Sequence, residues 1–470
     1  MQKFQLLTQN DIEKIHENSL RILENIGVVI TYQPAKDALE KAGAKIDGNI
    51  VRFPGKMVED AIKLCPSSFT MYGRNSKYNA EISTGNTVYA GPNCSSNVSD
   101  LDHGRRPSTM EDFINFIKII DRLENVDIQS QIPCEPNDVP VERRPYEMVY
   151  NTLKYSEKPF MGSSLGYDNA KQCIEMASLA FGGLDAIREK PIIVSIPCTL
   201  TPLAYADNMM GALMAYAETR QPQMINSLSI AGVSAPTTLV GLVSVQNAEV
   251  LAGIVVAQTV SPGTPVIYAA AGSNCEMSNA MLSIGSPEDA VISIINGQLC
   301  QYYQIPCRTS GALSDSKVPD AQAGYEAALT LMAGPISGGN FMLHAVGILD
   351  SYNTASYEQL IIDNEIVGYV KRIMRGVTVD EESLAYDVIE EVGPQGNFLI
   401  HEHTLEHFRD EFYRPTLSDR LTPGQWEEKG SLTAAQRANA KWKKILAEYG
   451  ESTLDSQVDK DLKKYMENLF

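Results

Sequence analysis

Eight short apolar runs, each followed by a helical pattern, constrain the fold of this chain more than any other feature. The runs begin 32 to 42 residues apart. Helix-start signals lie between them: residues 108–111 read Ser-Thr-Met-Glu, a capping box, and Ser286 precedes Pro287 as an N-cap precedes a proline at the first helical position. Strands that alternate with helices predict parallel strands joined by crossover helices, and eight such units predict a closed (β/α)8 TIM barrel. The runs begin at Val88, Val126, Phe160, Ile192, Met224, Val266, Ile305 and Phe341.

A doubly wound open sheet is the competing α/β architecture. The sequence has no Gly-x-Gly-x-x-Gly turn after a strand, which is the turn that marks dinucleotide-binding members of that class. The closed barrel is therefore the favoured fold.

The segments on either side of the barrel differ from it in pattern. Asn10 or Asp11 is expected to cap an N-terminal helix, Asp47-Gly48 predicts a hairpin turn, and residues 434–449 and 456–469 predict helices. We expect an N-terminal helix and hairpin extension at residues 1–85, the barrel at 86–360, and a helical region packed outside it at 361–470.

Charge and cysteine usage limit the partners and the compartment. The chain has 58 acidic and 39 basic residues, a net charge of −19, which argues against binding to nucleic acid or to an anionic membrane. The N-terminus has no apolar signal region, and the longest apolar run, at 251–260, contains Gln258. Eight cysteines are scattered without a Cys-x-x-Cys pair. We therefore expect reduced thiols in a cytoplasmic protein.

The predicted carboxyl ends of the strands, where TIM barrels place their chemistry, carry small neutral residues. Carboxylates, lysines and histidines are scarce there. Such a lining suits a reaction that depends on shape more than on proton transfer, although small residues also simply fill tight turns. These strand ends lie at 91–95, 131–134, 162–164, 197–199, 227–229, 271–274, 309–314 and 344–347.

Two motifs suggest other chemistry. Residues 162–166 match the Gly-x-Ser-x-Gly nucleophile elbow around Ser164, with Asp315 and His344 downstream as possible triad partners. Residues 401–407 hold three histidines, of which His403 and His407 lie four apart as two metal ligands on a helix do. A glycine-rich strand end and a solvated polar helix start are the favoured interpretations of the two motifs.

Histidine and aromatic residues near the strand ends are candidates for ligand contacts. His344 ends an apolar strand, where it is either a packed core residue or a group that orients a polar ligand. Several rings around one cavity would hold a quaternary ammonium through their faces. For any single ring ordinary packing is the favoured role. The rings are Tyr89, Tyr268, Tyr302, Tyr303, Phe341 and Tyr352.

Several sequence blocks, spread over nearly the whole chain, resemble the trimethylamine methyltransferase superfamily. Its members are (β/α)8 barrels that pass a methyl group from a methylated amine to the cobalt of a separate corrinoid protein. The blocks are residues 104–109, 314–317, 320–326 and 344–351, His403-Thr404, Arg420 and Trp426.

One departure from the family pattern implies a change of substrate. The founding trimethylamine enzymes carry pyrrolysine, whereas this sequence contains only standard residues. The equivalent position falls within residues 308–314. Pyrrolysine-free relatives resemble enzymes for glycine betaine, proline betaine, carnitine or γ-butyrobetaine. A quaternary nitrogen already carries the charge that makes the amine a leaving group, so the expected task of the protein is positioning rather than acid–base catalysis.

The resemblance implies a set of partners and site residues. We expect a cognate corrinoid protein carrying cobalamin, a small quaternary amine, a homo-oligomer, no metal and no catalytic acid or base, in a cytoplasmic enzyme of anaerobic methyl metabolism. Tyr89, Phe341 and Tyr352 are predicted to face the ammonium, and His344 and Arg308 to bind a betaine carboxylate. The residues predicted to face the corrinoid or orient the substrate are Asn93, Ser310, Gly311 and Asp315.

Two alternatives from other classes stay open at this point. One is a zinc-assisted methyltransferase that uses the histidines of 401–407. The other is a barrel that binds a betaine without catalysis.

Overall fold

In the computed structural model, which describes residues 3–93 and 95–470, an N-terminal segment of helices and hairpins precedes the barrel. Thr8, and not Asn10 or Asp11, caps the first helix, because Asp11 stands at the third helical position and completes a capping box. The hairpin at Asp47-Gly48 is confirmed. The elements are α1 (Gln9–Arg21), β1 (Val28–Ile30), α2 (Gln33–Ala42), β2 (Lys45–Asp47), β3 (Ile50–Arg52), α3 (Gly55–Leu64), β4 (Ser68–Met71) and β5 (Ala80–Ser83).

The middle of the chain alternates strands and helices as the apolar runs predict. Thr109 is the N-cap of the helix predicted from residues 108–111, with Asp112 completing its capping box, one residue later than expected. The elements are β6 (Val88–Tyr89), β7 (Asn97–Asp100), β8 (Gly104–Pro107), α4 (Met110–Arg122), α5 (Arg144–Tyr155), β9 (Phe160–Met161), α6 (Tyr167–Ser178), α7 (Leu184–Ile187), β10 (Ile193–Val194), β11 (Ala204–Tyr205), α8 (Asp207–Glu218), β12 (Gln223–Ile230), α9 (Leu239–Val260), β13 (Val266–Ser273), β14 (Cys275–Glu276), β15 (Met281–Leu282), α10 (Pro287–Tyr303), β16 (Cys307–Thr309), α11 (Ala321–Ser337), β17 (Phe341–Met342), β18 (Ile348–Leu349), β19 (Thr354–Ser356) and α12 (Tyr357–Arg375).

Parallel pairing closes these strands into a barrel. β12, β13, β16, β17 and β6 form one parallel sheet in that order. The ring continues from Ala90 to Ile128, from Gln129 to β9, from β9 to β10, and from Ser195 back to β12, always in parallel. The second barrel strand consists only of the bridges at Ile128 and Gln129. The predicted (β/α)8 fold is thus confirmed, and the open sheet is not.

The last barrel helix and the C-terminal helices follow. α12 runs from Tyr357 to Arg375 and therefore crosses the boundary predicted at residue 360. The remaining elements are α13 (Glu381–Leu384), α14 (Tyr386–Val392), α15 (Glu402–Glu411), α16 (Pro423–Glu428), α17 (Ala434–Ala447) and α18 (Ser456–Glu467).

Two apolar layers hold the barrel together. The inner layer fills the lumen with side chains such as Ile128, Met161, Met224 and Phe341, and the β4–β5 hairpin adds Met71 to it. The outer layers lie between the strands and the surrounding helices. The amino end of the lumen is therefore packed and closed, as in other TIM barrels, and only the carboxyl end is left for a ligand.

The N-terminal extension covers the most apolar helix of the barrel. In the described residues one helix, α9, is long and apolar enough to cross a membrane, but 78% of its apolar window is buried inside the protein. Ile12, Ile15 and Leu23 belong to the same buried cluster as Leu251 and Val255 of that helix. Glu249, in the middle of α9, is also buried and accepts hydrogen bonds from Thr199, Thr201 and Ser227. These contacts make α9 a core helix.

Candidate active site at the carboxyl end of the barrel

A buried arginine whose guanidinium is only partly hydrogen bonded stands on the inner face of the barrel. Arg308 lies on β16, between Ala269 of β13 and Phe341 of β17 in register. It is 2% exposed, and its Nε and Nη1 atoms have no hydrogen-bond partner in the described part of the chain. A buried cation without full hydrogen bonding is costly. A carboxylate, which accepts two parallel hydrogen bonds from a guanidinium, is the group that best removes this cost.

His344 lies beside this arginine in a fixed protonation state. The backbone N–H of Asn93 donates to Nδ1 of His344 at 3.1 Å, which leaves the ring proton on Nε2. Burial, helped by the positive charge of Arg308, lowers the pKa of His344 well below its usual value. The ring is therefore a neutral N–H donor, able to bind an anionic oxygen but not to act as a strong acid.

Tyr352 covers the same space from a turn with unusual backbone angles. Asp350, Ser351 and Tyr352 all have positive φ, at 54°, 51° and 72°. Such a run of left-handed residues is costly and often marks a functional turn. The turn places the Tyr352 ring 4.8 Å from the His344 ring. Burial raises the pKa of Tyr352 to about 12, although the nearby Arg308 opposes that rise. Tyr352 thus stays a neutral aromatic surface at the site.

A buried aspartate behind Arg308 is a site residue that the sequence did not reveal. Asp289 belongs to the first turn of α10, and the Ser310 hydroxyl donates to its Oδ2. Burial raises the pKa of Asp289 to about 7, while Ser310 and Arg308 act in the opposite direction. Its carboxyl therefore changes charge near neutral pH, beside the arginine. The sequence showed Asp289 only as part of a helix start.

Asn226 and Cys198 complete the polar part of the inner wall. The Asn226 amide donates to Cys198 Sγ at 3.4 Å, and its Oδ1 has no partner in the described residues. Burial raises the pKa of Cys198, so its thiol stays protonated. Inward and outward side chains alternate along β12, and Met224, two residues earlier, points inward. The sequence could therefore have predicted that Asn226 faces the lumen.

The three aromatic residues predicted for the ammonium differ in where they point. Tyr89 points outward into the helical layer, since its neighbours Val88 and Ala90 point into the lumen. Phe341 points inward beside Arg308, its in-register neighbour, and packs in the apolar layer that fills the barrel. A two-residue strand gives too little sequence pattern to fix which side chain faces inward. Of the three rings, Tyr352 is the one that contacts the His344 ring.

The residues predicted to face the corrinoid connect loops at the barrel mouth. Asn93 Oδ1 accepts from the backbone of Ile132. The Ser310 side chain turns toward α10. A side chain on Gly311 would meet the His344 carbonyl oxygen at 2.5 Å, so only glycine fits there. Asp315, which is partly exposed, accepts hydrogen bonds from Ser351, Ile284 and Gly285 and so ties three mouth loops together.

The nucleophile-elbow interpretation finds no support. Ser164 accepts a hydrogen bond from the backbone of Ile196. Asp315 accepts a hydrogen bond from the Ser351 hydroxyl, and Nδ1 of His344 accepts one from the backbone N–H of Asn93. In the described residues no hydrogen bond joins Ser164 to His344, so the three side chains do not form a triad.

The histidines of 401–407 lie far along the chain from this site, on α15. The rings of His403 and His407 are 4.3 Å apart, and His401 caps the helix. Among the described residues, the group of three side chains close enough to share an ion is instead Asp100, Asp102 and His103. The arrangement on α15 thus gives the zinc-assisted alternative no third ligand.

The largest described cavity lies at the opposite end of the barrel. It measures about 730 Å³ and is lined by Tyr89, Lys158 and Lys371. Lys158 donates to three backbone carbonyls, and Lys371 donates to the Asn125 carbonyl and pairs with Asp127. Both ammonium groups, the buried one of Lys158 and the partly exposed one of Lys371, therefore already have protein partners, unlike two donor atoms of Arg308.

Comparisons with known proteins extend over the whole chain. The sequence model of a family described as trimethylamine methyltransferase (MTTB) matches residues 1–468. A glycine betaine methyltransferase from Desulfitobacterium hafniense (strain Y51) is 43% identical over 464 residues, which cover 99% of this chain and 97% of that protein. A proline betaine:corrinoid methyltransferase from Eubacterium limosum is 30% identical over 88% of this chain and 87% of that protein. A trimethylamine methyltransferase from Desulfitobacterium hafniense (strain DSM 10664 / DCB-2) is 31% identical over 98% of this chain and 93% of that protein.

Among solved structures, the monomethylamine methyltransferase of Methanosarcina barkeri shares the fold. It superposes with a TM-score of 0.57 at 12% identity, over 96% of this chain and 89% of that one. At that identity the likeness concerns the architecture alone.

Proposed function

This chain belongs to the trimethylamine methyltransferase family, and from that premise we propose that it moves a methyl group from a carboxylated quaternary amine to cob(I)alamin held by a separate corrinoid protein. Glycine betaine is the proposed first substrate, with proline betaine, carnitine and γ-butyrobetaine as further members of the class. The glycine betaine methyltransferase that is 43% identical supports this choice.

One observation carries the substrate class: the buried Arg308 with two unpartnered donor atoms. A betaine carboxylate would accept from that guanidinium, and the Nε2–H of His344 would donate to the same carboxylate. An amine without a carboxylate, such as trimethylamine or choline, would leave the buried charge unpaired.

The ammonium end of the substrate then lies toward Tyr352 and the small inner-face residues. The Tyr352 ring offers a face to a cation that cannot donate hydrogen bonds. Asp289 lies behind Arg308, so its negative charge, when it is ionised, acts on the guanidinium. With the carboxylate held at Arg308, the methyl group of the substrate would point out of the barrel toward the solvent.

Reduced cobalamin, held by the partner protein, would supply a strong nucleophile for an in-line displacement at the N-methyl group, with the tertiary amine as the leaving group. The tasks left to this chain are to hold the carboxylate, to orient the N-methyl bond along the barrel axis, and to exclude water around it. Burial lowers the pKa of His344 and raises that of Tyr352, so neither side chain changes charge near neutral pH, which supports a positioning role for both.

The rim of the barrel supports docking of the corrinoid protein there. Large apolar side chains are exposed near or just beyond the carboxyl ends of four strands, where a partner must approach to bring cobalt to the substrate. They are Leu165, Leu200, Leu228, Val233, Met277 and Met281.

The test is a substrate panel with chemically reduced cobalamin, followed by absorbance as methylcobalamin forms. Glycine betaine, proline betaine, carnitine and γ-butyrobetaine are compared with choline and trimethylamine. We expect methylation with at least one carboxylated amine and none with choline, which matches glycine betaine except for the carboxylate. Turnover of choline equal to that of every betaine would contradict the role of Arg308. Betaine binding without any methylation would favour the non-catalytic barrel.

A further inference from the structure

Two buried polar side chains of opposite character stand in one row on the inner face of the barrel. Asn226 of β12 is in register with Ala269 of β13, and Ala269 is in register with Arg308 of β16. Residues in register on neighbouring parallel strands point to the same face of the sheet. Ala269 belongs to the apolar cluster that fills the lumen. The side chains of Asn226 and Arg308 therefore both face the lumen, at the same level along the barrel axis.

The spacing of the strands leaves the width of a small molecule between these two side chains. Neighbouring strands lie about 4.8 Å apart, so the Cα atoms of Asn226 and Arg308, which are two strands apart, are separated by roughly 10 Å. Ala269, which lies between them in the row, extends only a methyl group into the lumen. Asn226 and Arg308 therefore line opposite sides of the same space.

The amide of Asn226 is held so that its nitrogen is bound and its oxygen is not. The Cys198 thiol donates to the Ile196 carbonyl at 3.6 Å, which leaves the sulfur as an acceptor, and Nδ2 of Asn226 donates to that sulfur at 3.4 Å. Asn226 is 5% exposed, and its Oδ1 has no hydrogen-bond partner among the residues that the structure describes. Turning the amide over would set two acceptors against each other, so the contact with Cys198 fixes which end of the amide is left unsatisfied.

The unsatisfied atoms at the two ends of the row call for groups of opposite charge. Nε and Nη1 of Arg308 are donors, whereas Oδ1 of Asn226 is an acceptor. Each is costly to bury without a partner. A carboxylate alone would satisfy Arg308 only, and a quaternary amine without a carboxylate would satisfy Asn226 only. A small molecule that carries both charges satisfies the whole row.

We propose that Oδ1 of Asn226 binds the ammonium end of the zwitterionic substrate and selects for its positive charge; this inference rests on the proposed function. The methyl groups of a quaternary nitrogen share its charge, so a carbonyl oxygen attracts them through C–H···O contacts although no N–H is present. Cys198 acts as a positioning residue, because it orients the amide. The substrate then lies across the lumen from Arg308 toward Asn226, and the tetrahedral nitrogen directs one methyl group out of the mouth.

Calorimetry on the purified full chain, without a corrinoid protein, tests this proposal with two ligands of the same shape. Glycine betaine has a quaternary nitrogen where tert-butylacetate has a neutral carbon, and both have the same carboxylate. Asn226→Leu is expected to raise the Kd for glycine betaine about tenfold, because an acceptor beside a charged group is lost. The Kd for tert-butylacetate should stay within about twofold of the wild type, since that ligand offers the acceptor no charge.

Asn296→Leu is the matched control. Asn296 of α10 is also buried, and its Oδ1 also lacks a partner in the described part of the chain. Its amide donates to Gln246 of α9 at 3.2 Å, so it lies in the helical layer outside the lumen. This change should leave both Kd values as in the wild type. A second site variant, Asn226→Ala, guards against a leucine that does not fit, and circular dichroism with thermal unfolding checks the barrel in each variant.

Three results would count against this role of Asn226. A Kd for glycine betaine that both folded Asn226 variants leave unchanged would overturn it. An equal rise in Kd for both ligands would also overturn it, because Asn226 would then only shape the barrel. In these two cases betaine binding by the wild type leaves the proposed function standing. A wild type that binds no betaine would overturn the proposed function and this role together.

Discussion

The barrel mouth and residues 376–412, near the C-terminus, differ in which groups are left unsatisfied. At the mouth, two donor atoms of the buried Arg308 guanidinium, Nε and Nη1, have no hydrogen-bond partner among the described residues. In residues 376–412, exposed apolar side chains such as Ile400 have no protein surface over them. A small charged molecule satisfies the first need and a protein surface satisfies the second. The comparison teaches that the kind of group left unsatisfied indicates the kind of partner that is missing.

The largest expected effect comes from removing the unsatisfied charge at the mouth. Arg308→Met should reduce kcat/KM for the preferred betaine by about 100- to 1,000-fold, since a charge-assisted bidentate contact is lost. The same change should raise the Tm of the ligand-free protein by about 2–4 °C, because an uncompensated buried charge is gone. Steady-state kinetics and thermal unfolding measure both. A parallel loss of stability and activity would instead mean that Arg308 holds the fold together, and Arg308→Lys, which keeps the charge, is the control.

Removing the neutral donor at the mouth should have a smaller effect. His344→Ala is expected to raise KM by about 10- to 100-fold through loss of one hydrogen bond to a carboxylate. His344 has a φ of 58°, a region that asparagine tolerates better than alanine. His344→Asn, which keeps the backbone and an N–H donor, should therefore recover part of the affinity. Unchanged kinetics in a folded His344→Ala protein would reject this role.

Titration of Asp289 should make betaine binding depend on pH. Because burial raises its pKa to about 7, Asp289 is neutral at pH 6 and charged at pH 8, where it competes with the substrate carboxylate for Arg308. The Kd for the betaine, measured by calorimetry, should rise on the order of tenfold between these values. Asp289→Asn should bind with the same Kd at both, and a wild-type Kd that does not change would contradict this arrangement.

Ionisation of the Asp289 carboxyl should also make the free energy of unfolding depend on pH. Its folded-state pKa lies above its ordinary value of 3.8, so the stabilisation present below about pH 4 is lost as the pH rises toward 7. The free energy of unfolding, measured by urea titration across that window, should fall less steeply in Asp289→Asn than in the wild type.

The smallest expected effect tests whether the two regions are independent. Leu399→Asp/Ile400→Asp should leave kcat/KM with free cob(I)alamin within about twofold of the wild type, because distant sites without shared partners behave additively. A loss of more than tenfold, with the barrel folded, would mean that residues 376–412 contribute to the site.

Part of the candidate site could be predicted from the sequence. The family resemblance brought Arg308, His344 and Tyr352 together, and the structure places them side by side. Tyr89 points away from the lumen, which the sequence did not show because the direction of a side chain in a two-residue strand depends on its register in the sheet. Asp289 was missed because a helix-start aspartate is usually exposed, and only the packing of α10 against β16 buries it.

The sequence by itself determined the (β/α)8 barrel, since eight apolar runs separated by helix signals have few other ways to bury their surfaces. It also determined the helix caps to within three residues, because capping depends on contacts between residues close in sequence. Only the tertiary structure decided which buried charge lacks a partner and which apolar side chains lack a cover. An apolar residue in a sequence is expected to be buried. Whether the folded chain buries it depends on contacts between distant segments.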